Sequence, residues 1–136
     1  MTDSSSDLAR DVAGDVARVP MQLVRGCLVA SVQIELSPEV LHRFQQDLLQ
    51  RVRDTRAGAV ILDLSGVSIL DSSDFESVVR TLKMAKLMSA TPVIVGLRPG
   101  IAASLVELNI SPGDIDTCMT LEQALRRVGR RDTKTG

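Results

Sequence analysis

The sequence predicts an α/β fold, a mixed sheet of four to five strands with about four helices placed mainly on one of its faces. Three observations predict it. The run AVILDL, residues 59–64, is of strand length and continuously apolar up to its aspartate, as suits a strand buried on both sides. Segments with helical spacing of apolar residues alternate with strand-like runs in the order β β α β α β α β α. Helix starts are marked by Ser37-Pro38-Glu39 and by Thr120-Leu121-Glu122-Gln123.

Residues 1–17 hold Asp3, Asp7, Asp11 and Asp15 among small polar residues and read as an N-terminal arm outside the domain. From Pro20 the pattern becomes that of strands. Pro20 to Val24, a turn at Arg25-Gly26, and Cys27 to Leu36 form a hairpin-like pair. Leu28, Ala30, Val32 and Ile34 share one face of the second strand and are assigned to the core. Cys27, Val29, Ser31, Gln33 and Glu35 share the other, a mixed face expected to lack a helix cover and to remain open to a partner.

Ser37 is placed to cap the first helix, with Pro38 where no N–H is needed and Glu39 in the first turn. Leu41, Phe44, Leu48 and Val52 follow at spacings of three and four. His42, the single histidine, is assigned to the solvent side of that helix. A second helix is expected from about Ser73 to Met88, burying Phe75, Val78, Val79, Leu82 and Ala85. VIVGL, residues 93–97, is the next strand, and a strand, helix, strand run of this length predicts a right-handed parallel crossover. Residues 101–110 make a short apolar helix, residues 115–119 an edge strand, and Thr120 with Gln123 the capping box of a last helix docked through Leu121, Ala124, Leu125 and Val128. The domain is thus drawn over 18–129, and 130–136 is a basic tail expected to be frayed and solvated.

Composition narrows the function. With 44% hydrophobic and 24% charged residues the chain reads as a soluble globular domain. A net charge of -1 offers no global field for nucleic acid or anionic membrane, and two Phe with no Trp or Tyr offer no stacking platform. Cys27 and Cys118 have no metal or redox spacing and read as ordinary intracellular thiols. No apolar run approaches the length of a membrane span or signal segment, so a cytoplasmic location is expected.

The candidate site is the loop Ser65 to Asp71 and the helix start after it, LDSSDFE. It leaves the carboxyl end of the buried strand, where sites collect in open α/β sheets. Asp63, Asp71, Asp74 and Glu76 make the locality acidic, and Ser72 and Ser73 supply hydroxyls. Ser73 and Glu76 have capping-box spacing, which makes Ser73 the expected N-cap and leaves Ser72 one residue outside the helix, its hydroxyl presented. Registers with Asp71 or Ser72 at the cap remain open. The residues alone are equally those of a well-capped helix start. Catalysis is disfavoured: no Lys or Arg lies between Ala57 and Ser77, no phosphate-binding glycine motif occurs, and no histidine accompanies the serines. No metal or cofactor is called for.

Strand order together with VILDLSGVSILDSSDFESVV resembles the STAS domain, the fold of bacterial anti-sigma factor antagonists. The resemblance covers about residues 19–128. CLVASVQIELSPEVLHRFQQDLLQRV and AKLMSATPVIVGLRPGIAASLVELNI look like the small scaffold branch of the stressosome, the RsbS type. By that match the phosphoacceptor is Ser72, with Asp63, Asp71, Ser73, Asp74 and Glu76 around it as kinase or partner contacts. The resemblance implies a non-enzymatic scaffold that assembles, as homo- or hetero-oligomer, with STAS paralogues carrying sensor domains. It would sequester a serine/threonine kinase of the histidine-kinase-like ATPase fold, release it on phosphorylation, and be reset by a phosphatase. The alternative is an anti-sigma factor antagonist that switches partners on phosphorylation. Asp74 departs from the glycine that simple antagonists usually carry soon after Asp-Ser-Ser.

Overall fold

A computed structural model describes the backbone of residues 17–135 and the side chains of 17–129. The arm assigned to residues 1–17 lies outside the described residues except for Ala17.

Five strands form one sheet in sequential order: β1 (Met21–Val24), β2 (Cys27–Ser31), β3 (Ala59–Asp63), β4 (Thr91–Val95) and β5 (Asp116–Cys118). β1 is antiparallel to β2, and β2 to β5 are mutually parallel. The hairpin turns through Arg25 and Gly26, both at positive φ, as a two-residue connection with matching twist requires. β3 is central, fully buried from Ala59 to Leu62, and bonded along both edges. Pro92 stands near the start of β4, one residue before β5 begins to pair, where a missing N–H is tolerated.

Four helices connect and cover these strands: α1 (Pro38–Thr55), α2 (Ser72–Leu87), α3 (Pro99–Glu107) and α4 (Leu121–Thr135). Ser37 caps α1 as its sequence requires, its Oγ accepting the Val40 N–H at 3.2 Å. The capping box of α4 also forms, Thr120 Oγ1 accepting from Gln123 N at 3.1 Å and Gln123 Oε1 from Thr120 N at 3.4 Å. The α4 backbone runs to Thr135, through residues 130–135 that the sequence assigns to the tail.

α1, α2 and α3 pack on one face of the sheet around Phe44, Leu48, Phe75, Leu82, Leu28 and Leu62. Burying one such side chain contributes about 1.5–3 kcal/mol. Two expectations for β2 are corrected. The strand ends at Ser31, not Leu36, because its partner β3 ends at Asp63; the last bond of that edge is Val32 N to the Asp63 carbonyl at 3.0 Å. The face carrying Cys27 and Val29 is not open either: with Ala59, Ile61, Val93 and Val95 it is covered by Ala124 and Val128 of α4. Gln33 and Glu35, which made that face look mixed, lie beyond the strand and are exposed.

Candidate functional site at the carboxyl edge of the sheet

The parallel strands β2 to β5 end along one edge of the sheet, and the loop from β3 to α2 starts in its middle. Its entry is fixed by backbone bonds to both neighbouring strands: Val32 N to the Asp63 carbonyl at 3.0 Å, and Leu64 N to the Val95 carbonyl at 2.8 Å. Asp63, half-buried, turns its carboxylate onto the Ser65 N–H at 2.9 Å, closing an Asx turn. Arg98, from the loop after β4, donates its Nε to the Ser65 carbonyl at 2.9 Å. Gly96 has φ +75°, and a Cβ there would lie 2.8 Å from the Ser65 Cβ, so the β4 loop and the β3 loop pass in contact only because this residue has no side chain.

Val67 and Leu70 anchor the middle of the loop in the core, while Ile69 between them is 81% exposed. The helix then begins two residues earlier than capping-box spacing indicated. Asp71 is the N-cap of α2, its Oδ1 accepting the Asp74 N–H at 2.8 Å. Ser72 and Ser73 are therefore the first two residues of the helix, which corrects the expectation that Ser73 caps it and Ser72 lies outside. The cause is the core. With Asp71 at the cap, Leu70 and Phe75 occupy the N′ and N4 positions of a hydrophobic staple, and both are buried in the same cluster. A Ser73 cap would put Ser72 and Ser77 at those positions and lose the staple.

Neither serine side chain makes a hydrogen bond among the described residues. Ser72 is half-buried, and Ser73 is exposed. Ser73 and Asp74 face a groove of about 240 Å³ between α1 and α2, shared with His42, Gln45 and Arg80. Glu76 lies on the opposite flank of α2, in a groove of about 490 Å³ with Phe75, Arg80 and Lys83. The sequence-derived set is thus divided: Asp63 is engaged with Ser65 at the loop entry, Asp71 and Asp74 are hydrogen-bonded across the turn that carries Ser72 and Ser73, and Glu76 lines a different groove.

Asp74 is held above the usual carboxylate range, first by partial burial, then by the charge and hydrogen bonding of Asp71, and last by the charge of Glu35. Two contributors escaped the sequence reading. Arg98 is 33 residues from Ser65 along the chain, yet the pairing of Asp63 with Val95 brings its loop beside that residue. Ile69 carried a signal that was legible: an apolar residue in a polar loop, beside a second apolar residue that can reach the core. Among the described residues no cluster of three or more His, Cys, Asp or Glu could hold a metal ion. No described helix is long and apolar enough to cross a membrane.

Against known proteins, the family model described as STAS domain matches residues 18–124. The Bacillus subtilis RsbT co-antagonist protein RsbRA is 26% identical over 91 residues, 67% of this chain and 33% of RsbRA, so the chain spans about a third of that relative. YezB of the same organism is 30% identical over 81 residues, 60% of this chain and 83% of YezB. Among solved structures, a serine-to-glutamate variant of Moorella thermoacetica RsbS superimposes with a TM-score of 0.70 at 22% identity, covering 86% of this chain and 99% of that one. A chain of the stressosome gives 0.73 at 19% identity, covering 83% and 98%. At these identities the structural likeness establishes the fold.

Proposed function

The chain belongs to the STAS domain family, among relatives of the anti-sigma factor antagonist and stressosome type, and on that premise we propose that it is a non-enzymatic stressosome core scaffold. In this reading it sequesters a serine/threonine switch kinase of the histidine-kinase-like ATPase fold and releases it when Ser72 is phosphorylated. A sensor-domain STAS paralogue completes the assembly, a phosphatase resets it, and the particle works in the cytoplasm. The observation that supports it most is the placement of the Ser72–Ser73 pair: two hydroxyls with no hydrogen bond among the described residues, in the first turn of a helix, at the end of a loop held on both sides by the sheet, with Ser72 singled out by the family motif.

Phosphate on Ser72 adds about -1.5 to -2 charges. The helix N-terminus favours such a charge by about 0.3–1 kcal/mol, more where partly buried. Asp71 and Asp74, in the same turn, oppose it. With these effects of comparable size and opposite sign, the domain keeps its fold, and the larger change falls on a docked partner, for which a like charge at the interface costs several kcal/mol. Ile69, exposed in the loop that leads to Ser72, is the apolar contact such a partner would cover.

Co-expression with a sensor-domain paralogue tests the scaffold reading. A megadalton-range particle by light scattering is expected. If only small species form while an anti-sigma factor binds the unphosphorylated chain, the protein is instead an antagonist that switches partners.

A further inference from the structure

Beside the switch loop, the carboxyl ends of β4 and β5 open onto a groove of about 700 Å³ between the β4–α3 and β5–α4 connections. Among the described residues its polar lining is Ser65, Arg98, Thr117, Gln123 and Arg127, with no aspartate or glutamate. In an open α/β sheet this edge is where loops and helix N-termini converge on small ligands.

Three of these side chains are oriented by the backbone and keep donors to spare. Arg98 spends its Nε on the Ser65 carbonyl, and Arg127 spends one Nη1 N–H on the Thr117 carbonyl at 3.4 Å. A guanidinium has five N–H donors, so both forks remain largely unused. Gln123 receives the Met119 and Thr120 N–H groups on its Oε1, at 3.0 and 3.4 Å, which leaves the amide nitrogen for another acceptor. Neither arginine is ion-paired among the described residues. α3 also begins here without a side-chain cap, so its first-turn amides add positive potential. Asp63, the carboxylate at the start of the adjacent loop, is committed to the Ser65 N–H.

Two guanidiniums without an ion-pair partner among the described residues, lining one groove, match the oxygens of a phosphate or carboxylate. The groove is roomy enough for an organic molecule as well as a bare ion. Leu97, Pro99 and Met119 supply apolar wall for its carbon skeleton. We propose that this groove binds a small organic anion through phosphate or carboxylate groups held by Arg98, Arg127 and Gln123. Because Arg98 also holds the Ser65 carbonyl, such a ligand acts on the loop that leads to Ser72. Binding itself does not depend on the function proposed above and is tested without a kinase.

The ¹⁵N-labelled protein is titrated with inorganic phosphate and, separately, with citrate, at ionic strength held constant with sodium chloride. Saturable amide shifts are expected at Ser65, Gly96, Arg98, Ala102, Thr117 and Cys118, with a dissociation constant below about 10 mM. A response to phosphate alone or to citrate alone assigns the headgroup. Arg127→Gln, which leaves the bond to Ser65 intact, should weaken binding about tenfold or more, and Arg98→Gln likewise. No saturable shift with either probe, or unchanged affinity in Arg127→Gln, overturns the proposal.

Discussion

The Asp71 carboxylate accepts the Asp74 N–H at 2.8 Å, so the cap that starts α2 brings two acidic side chains together in the turn that carries Ser72 and Ser73. The cap is a stabilising contact with a measurable size. Asp71→Ala should cost about 0.5–2 kcal/mol in urea denaturation, whereas Asp71→Ser should recover most of it.

Asp74 contributes with the opposite sign. Its folded carboxyl is raised above the ordinary value of 3.8, so the fold binds that proton more tightly than the unfolded chain does. The resulting stabilisation is fully present below about 3.8 and is lost as pH rises through the raised value. At neutral pH the ionised Asp74 is therefore a net cost. Asp74→Asn should raise the urea midpoint at neutral pH and show no such advantage below pH 3.8.

Gly96 lets the Arg98 loop lie against Ser65. Gly96→Ala meets both a left-handed φ of +75° and a contact of 2.8 Å with the Ser65 side chain. A loss of about 1–3 kcal/mol is expected, with faster hydrogen exchange at the Ser65 amide.

Ile69 separates folding from recognition. At 81% exposure its truncation to alanine should leave stability within about 0.5 kcal/mol. Binding of the kinase, measured by calorimetry, should weaken about tenfold or more if this side chain is a contact at the interface.

What was legible in the sequence was what is decided locally or by period. Ser37 and the Thr120–Gln123 pair capped their helices as their spacing required, and the apolar run of β3 gave the buried central strand. The α2 start was harder because two local rules competed. Ser73 and Glu76 satisfied a capping box on paper, but burying Leu70 and Phe75 together selected Asp71. That removes the local argument distinguishing Ser72 from Ser73, so the choice of Ser72 rests on the family motif. The cover over Cys27 and Val29 was not legible, because it depends on where β2 stops and on α4, the last helix of the chain. Arg98 was hidden for the same reason: only the register of β3 on β4 places it beside Ser65.

The central claim is tested most directly by incubating the protein with its cognate kinase and ATP while following both the modified residue and the retained kinase. Wild type and Ser73→Ala should take phosphate on Ser72 and release the kinase, and Ser72→Ala should take none and hold it. Phosphate mapped to Ser73, or a kinase that stays bound to protein fully phosphorylated on Ser72, would contradict the account.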